Sequence, residues 1–306
     1  MLRSKHTHLG LDIGGTKISG MLLNAEGSNL LFREVPVRRS WSSRQLRRML
    51  ESFVQDLAER AHSSSKSIRT IGIGVPGPLG EDGSILQAVN LPSLTKTRLQ
   101  KLAPNAKTTI WNDTVCAAYA EATLGSLANC STGILLMSGT GLGGASVIRL
   151  NEQGRLGSDT MLQISNLEIG HVVGDLDRMS DTTNRAFEYE AFCSRQFFRQ
   201  HTKKSERTLY EAVWKGNTEA AHLFERFGIN LGSAIASADT LFRPDTIVLG
   251  GGMTAYLPAY RKTMERTFRQ RRFHLTKAPQ IIHSKFGPEV GALGAALYGT
   301  VQSCQR

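Results

Sequence analysis

Short blocks of apolar residues open the chain. His8–Ile13, Ile18–Leu23 and Asn29–Val37 each read as a strand, with Lys17 and Gly27 marking the turns between them. From Gln45 to His62 the period changes, and Leu46, Leu50, Phe53, Val54, Leu57 and Ala61 fall on one face of a helix. Thr70–Val75 is an apolar strand closed by Pro76-Gly77-Pro78. Thr108–Trp111 is another; it ends in Asn112-Asp113 and runs into a helical stretch from Val115 to Leu124. The predicted order is three strands, a helix, a strand, a turn, a strand and a helix.

The pattern then restarts. Gly133–Met137 is an apolar strand, followed by a glycine-rich turn and a second strand over Ala145–Leu150. Leu223, Phe224, Phe227, Leu231, Ile235, Ala238 and Leu241 mark a long helix, ended by Arg243-Pro244-Asp245. Thr246–Leu249 is a strand of the buried type, with Gly250-Gly251-Gly252 after it, and a small-residue helix over Ala292–Tyr298 closes the pattern. Each half begins with a strand hairpin that carries glycines at its turn, a degenerate repeat at an offset of about 125 residues. Two similar α/β lobes, each with its own core, are therefore expected. Ser63–Ser67 reads as a surface loop rather than a linker.

Composition narrows the choice. A chain of 306 residues fits two domains, and 40% apolar with 21% charged residues excludes a disordered chain, a collagen and a coiled coil. Cys116, Cys130, Cys193 and Cys304 lie far apart with no Cys-x-x-Cys pair. That spacing fits neither a disulfide framework nor a zinc knuckle, and it suits a cytoplasmic protein. Met1–His8 is short and polar, unlike a signal peptide. The longest apolar stretch, Gly133–Ile148, is interrupted by Gly139, Gly141, Gly143 and Gly144, so no membrane partner is expected. Two departures from ordinary usage remain: 30 glycines, and a net charge of +11. Excess glycine suggests backbone approached closely, and excess positive charge suggests an anionic partner.

The glycines concentrate in two loops. Asp12-Ile13-Gly14-Gly15-Thr16-Lys17 lies between two strands, and so does Gly139-Thr140-Gly141-Leu142-Gly143-Gly144. Such loops let backbone N–H groups converge on phosphate oxygens. The second loop spells G-x-G-x-x-G, but Ala145-Ser146-Val147-Ile148 after it favours a strand where a dinucleotide fold needs a helix. No Gly-Lys pair exists for a Walker A loop. Two glycine hairpins in the two halves suit a nucleotide clamp instead.

At this point the strings become specific. Leu11-Asp12-Ile13-Gly14-Gly15-Thr16-Lys17, Gly72-Ile73-Gly74-Val75-Pro76-Gly77-Pro78, Asn90-Leu91-Pro92, Asn112-Asp113, Gly139 to Gly144, Glu168-Ile169-Gly170-His171, Pro244 to Gly252 and Gly291-Ala292-Leu293-Gly294-Ala295-Ala296 follow one another along nearly the whole chain. In that order they resemble the ROK family, which contains bacterial and archaeal sugar kinases. The resemblance implies an α/β protein of two actin-like, ribonuclease H-like lobes with mixed sheets around an ATP and sugar cleft. A small N-terminal lobe, residues 1–118, would be completed by a C-terminal helix over 292–306, with a large lobe over 119–291. It also implies a cytoplasmic homodimer that phosphorylates a hexose at the 6-hydroxyl using ATP and Mg²⁺. Glucose is the default substrate; N-acetylmannosamine, N-acetylglucosamine, fructose and allose stay open. A sugar-binding sensor without turnover is the alternative from another class.

Phosphoryl transfer needs held phosphates, a neutralising metal and an aligned acceptor. Gly14, Gly15 and Thr16, with Lys17 as a nearby cation, would cradle phosphates from one lobe, and Gly139, Thr140 and Gly141 from the other. Gly250, Gly251 and Gly252 would let adenosine lie against the backbone. By resemblance Asp12 orients Mg²⁺ through water, and Asn112, Glu168, His171 and Glu188 line the sugar pocket with Asn90 and Gly77. Asp113, at a strand end beside a helix start, is the candidate general base. Its ordinary alternative is an N-cap for that helix.

One departure from the family is plain. Many members bind zinc with the histidine of Glu-x-Gly-His and a Cys-x-Cys-Gly-x-x-Gly-Cys run. Between His171 and Glu188 this chain has no cysteine, so no zinc site is expected. Something else must then orient His171, with Asp175 and Asp177 as candidates. The positive charge gathers in two further clusters, Arg33 to Arg48 and Arg261 to Arg272, which ligand strings do not explain. With the first phosphate loop starting at Asp12, a winged-helix repressor and a nucleic-acid partner are not expected.

Overall fold

A computed structural model describes residues 6–60, 68–151, 156, 161–175, 187–273 and 277–304. Along the chain the elements are β1 (Thr7–Ile13), β2 (Lys17–Asn24), β3 (Asn29–Pro36), α1 (Ser43–Arg60), β4 (Ile68–Val75), β5 (Lys107–Asn112) and α2 (Asp113–Leu124). Then come β6 (Thr132–Ser138), β7 (Leu142–Leu150), β8 (Met161–Leu167), α3 (Tyr189–Phe192), α4 (Arg195–His201), α5 (Glu206–Trp214), α6 (Thr218–Phe242), β9 (Thr246–Gly250), α7 (Leu257–Arg271), β10 (Gln280–His283) and α8 (Val290–Cys304). Two units result, Met1–Gly125 with Phe286–Arg306, and Ser126–Lys285.

In the first unit the strand order is β3-β2-β1-β4-β5. The β1–β2 and β2–β3 pairs are antiparallel, while β1–β4 and β4–β5 are parallel, so the sheet is mixed. The turn between β1 and β2 is Gly14-Gly15-Thr16; Lys17 already belongs to β2 and pairs in the ladder opposite Pro36. Helix α1 lays Leu46, Leu50, Phe53, Val54 and Leu57 into the core with Leu9, Leu11, Ile18 and Leu22. Its expected end at His62, and the loop Ser63–Ser67, lie outside the described residues. From the far end of the chain α8 returns to pack on β1, β4 and α2.

The second unit repeats this topology. Its order β10-β9-β6-β7-β8 matches the first sheet strand for strand, with two antiparallel pairs at one side and two parallel pairs at the other. Its core is aromatic: Phe197, Phe198, Phe224, Phe227 and Tyr260 interlock with Met264 beneath α6 and α7. This is the two-lobed α/β architecture with mixed sheets that the sequence pattern predicts.

Part of the positive charge in the two clusters is structural. Arg47 donates to the carbonyls of Arg98 and Gln100, both at 2.6 Å, and of Lys101 at 2.9 Å, holding the chain before β5. Arg261 and Arg269 flank Glu265 on α7. Arg272 meets the buried carboxylate of Asp239 at 3.1 Å, and Arg271 donates to Ser233 Oγ at 2.8 Å, tying α7 to α6. Among the described residues no helix is long and apolar enough to cross a membrane.

Candidate functional site

In the first unit the candidate residues sit where strands end. The β1–β2 turn closes with Gly14 N donating to Lys17 O at 2.9 Å, and Gly15 lies against Asn90. Lys17 pairs with Glu34, which also accepts from Ser19 Oγ at 2.9 Å. The charge of Lys17 is thus shared with a carboxylate on β3.

At the end of β5 the chain turns into α2, and here Asn112 is the cap. Its Oδ1 accepts from Thr114 N at 2.9 Å and Val115 N at 3.2 Å. Its Nδ2 donates to Gly77 O at 3.4 Å, which joins two of the residues expected to bind sugar. Asp113 is therefore not the N-cap but the first helical residue, with Oδ1 accepting from Thr114 N at 2.7 Å.

Asp12, at the end of β1, lies close to Asp113 and to Gly291 of α8. Burial, and then the negative charge of Asp113, push its carboxyl up to about 7; Lys17 opposes this, and Glu34 adds to it. Cys116, one turn further along α2, is buried beside the same pair, and burial holds its thiol well above the usual range. An Asp whose folded pKa is raised binds its proton more tightly in the folded state. The stability it contributes is present at low pH and is lost between about pH 4 and pH 7. Asp12→Asn is therefore expected to match wild type at pH 4 and to exceed it by ~1–3 kcal/mol above pH 7. Urea melts at the two pH values measure this. An Asn variant that is no more stable at pH 8 would remove the repulsion from the account.

In the second unit the β6–β7 turn is closed by Gly139 N donating to Gly141 O at 2.9 Å. It is held from behind: Ser138 Oγ donates to Cys193 O at 2.6 Å, and Leu142 N donates to Glu190 Oε2 at 3.1 Å. The loop after β9 packs against this turn. Gly251 has φ +86°, and a Cβ there would stand 2.7 Å from Ser138 C, so both conformation and space demand glycine.

After β8, Ile169–His171 forms a single 3₁₀ turn. Glu168 accepts from Asn166 Nδ2 at 2.7 Å and stays exposed. His171 Nδ1 meets Glu188 Oε2 at 2.7 Å, and its Nε2 lies 3.7 Å from Glu168 Oε2. Glu188 is buried, with 4% of its surface exposed. The partner of His171 is thus Glu188 rather than Asp175, and Asp177 lies outside the described residues. A buried carboxylate on Nδ1 fixes the proton there and leaves Nε2 as the acceptor when the ring is neutral. Among the described residues no group of His, Cys, Asp and Glu side chains is placed to hold a metal ion. The carboxylate on Nδ1 does not block a metal at Nε2; what a zinc site lacks between His171 and Glu188 is a thiolate donor.

The sequence reading missed Glu190 and Arg195. Glu190 follows the candidate Glu188 by two residues and braces the β6–β7 turn through Leu142 N, while its Oε1 accepts from Gln196 Nε2 at 3.0 Å. Only its place in Phe187-Glu188-Tyr189-Glu190 could have signalled it. Nothing in the sequence singles out Arg195.

Known sugar kinases are similar to the chain over most of its length. An N-acetyl-D-glucosamine kinase from Yersinia enterocolitica is 26% identical over 306 residues, spanning 94% of this chain and 98% of the relative. A kanosamine kinase from Amycolatopsis mediterranei is 26% identical over 268 residues, 82% of each chain. Among solved structures, a ROK family glucokinase from Streptomyces griseus in complex with glucose and AMPPNP superposes with a TM-score of 0.75 at 20% identity, covering 96% of this chain and 99% of that one. The model of the ROK family itself matches residues 8–300, and the chain belongs to that family.

Proposed function

We propose that this protein is an ATP-dependent sugar kinase acting on an aminated hexose. The observation that carries the reading is the division of labour at Asn112-Asp113. Asn112 caps α2 and reaches Gly77, and the Asp113 carboxylate stands beside it at the first helical position, where Oδ1 accepts from Thr114 N. In this reading Asp113 accepts the proton of the acceptor hydroxyl as its oxygen bonds to the γ-phosphorus and the bond to the ADP oxygen breaks. Asp12 would hold Mg²⁺ through water, with the Asp113 carboxylate close beside it. The metal supplies charge neutralisation for the phosphates.

Each unit carries its own candidate groups. From the first, Gly14, Gly15 and Thr16 would meet phosphates, while Gly77, Asn90 and Asn112 would meet the sugar. From the second, Gly139–Gly141 would hold phosphates, Gly250–Gly252 adenosine, and Glu168 with His171 the sugar hydroxyls. Glu188 acts in this scheme through His171, presenting its Nε2 to a hydroxyl. The two relatives at 26% identity, named for N-acetyl-D-glucosamine and kanosamine, move the substrate expectation away from glucose, while the glucokinase superposes at 20% identity.

A coupled assay of ADP release tests this across N-acetylglucosamine, N-acetylmannosamine, kanosamine, glucose, fructose and allose. An aminated hexose is expected to give the highest kcat/KM, about tenfold or more above glucose, the discrimination a hydrogen-bonding pocket readily supplies. If no sugar stimulates ADP release, the protein is a sensor and not a kinase.

A further inference from the structure

Among the described residues, Arg195 is a cation held in place without an anion. It opens α4, where Ser194 Oγ caps the helix by accepting from Gln196 N at 3.2 Å. Its own backbone N–H donates to Gly139 O at 2.9 Å, fixing the residue to the β6–β7 turn. Its guanidinium lies along the loop after β9: Nη2 is 2.9 Å from the point a Cβ on Gly252 would occupy. These two loops are themselves in contact, because Gly139 and Gly251 both face their neighbours' backbone across the gap.

Within this position the guanidinium has no partner among the described residues. Its Nε is enclosed and makes no hydrogen bond, and the side chain makes no ion pair. The nearest acid on the same segment, Glu190, is committed to Leu142 N and Gln196 Nε2. An enclosed guanidinium N–H without a protein acceptor costs free energy until water, an ion or a ligand completes it. The acceptor a guanidinium matches best is a planar or tetrahedral oxyanion taken by two N–H groups at once. Here the adjacent backbone is the Gly139-Thr140-Gly141 turn, where Gly139 N already donates to Gly141 O and the amides of Thr140 and Gly141 are the ones that would favour an oxyanion.

We infer that Arg195 binds a phosphate of the donor nucleotide from within the second unit. The inference rests on the kinase reading, which puts nucleotide phosphates at Gly139–Gly141. It adds a specific cation that a glycine pattern does not reveal.

Calorimetric titration of wild type, Arg195→Met and Arg195→Lys with ATP, ADP and adenosine tests it. Met keeps the length and bulk of the side chain and removes its charge, while Lys keeps the charge and loses the fork. The Met variant is expected to bind ATP and ADP at least about tenfold more weakly, with adenosine within about twofold of wild type. The Lys variant should fall between the two. An equal loss for adenosine and ATP would make Arg195 a packing residue and overturn the inference, as would unchanged ATP binding in either variant. If the Met variant does not fold, the Lys variant decides alone, because an unchanged ATP-to-adenosine ratio there excludes the fork. A wild-type protein that binds neither ATP nor adenosine strikes the kinase reading itself, and the role of Arg195 with it.

Discussion

Asp113→Asn is expected to lower turnover by about 10³-fold while sugar and nucleotide binding stay within a few-fold of wild type. The substitution keeps the shape of the side chain and the acceptor that Thr114 N uses at 2.7 Å, and removes the ability to take a proton. Helix α2 does not depend on the residue for its cap, since Asn112 Oδ1 serves Thr114 N and Val115 N. Folding should therefore survive. Stability above neutral pH should even rise, because the negative charge of Asp113 is one of the causes that push Asp12 up to about 7. A phosphoryl transfer through a loose transition state needs its base only late, when the acceptor oxygen has become acidic. The loss therefore falls on kcat and not on binding. Steady-state kinetics beside calorimetric titration separate the two. Wild-type turnover in the Asn variant would end the general-base assignment, whereas a matched loss of binding would make Asp113 a sugar ligand only.

The parts of the fold written in apolar spacing were legible. Strands β1, β2, β4, β6 and β9 carry buried residues at nearly every position, α1 shows one buried face, and α6 is buried on all sides over residues 231–236. The parts missed lacked that signal for physical reasons. β8, Met161–Leu167, is an edge strand with partly or fully exposed positions throughout, so nothing obliges its residues to alternate. α7 buries Leu257, Tyr260, Met264 and Phe268 at helical spacing, but its arginines and lysine dominate the string and read as a basic cluster. β10 has only four residues and is defined by its partner β9.

The candidate site divides in a similar way. Glycine strings were readable because a backbone that must turn or be approached leaves a residue-type record. Side-chain partnerships were not, since they depend on register. Lys17 reaches Glu34 because β2 and β3 pair with Ser19 opposite Glu34. His171 meets Glu188 because Val173 and Glu188 form a bridge that brings the two residues together. The capping of α2 turned on one position: Asn and Asp stand side by side at 112 and 113, both are good caps, and only the helix start distinguishes them.

Gly294→Val is expected to be the most damaging single change to the fold. Helix α8 packs on β1, β4 and α2, and at Gly294 it comes so near α2 that any Cβ would overlap the Cys116 carbonyl. That obstacle is backbone, so no rotamer change can relieve it, and one helix must move away from the other. Overpacking of this kind costs about 3 kcal/mol, a large part of the ~5–15 kcal/mol that holds a typical protein folded. A fall in melting temperature on the order of 10 °C should follow. Activity should fall further than stability alone explains, because α2 is the helix whose first turn carries Asn112 and Asp113. Gly294→Ala should show a smaller loss in the same direction. Gly27→Asn is the control: it sits in the β2–β3 turn with nothing within 4 Å of a Cβ, at a φ of +79° that Asn tolerates. Thermal melts and ADP-release assays on the three variants check the series. A Val variant that melts within 2 °C of wild type (well inside the ~10 °C expected) would mean that α8 does not lie against Cys116, and with it would go the seating of Asp113 described here.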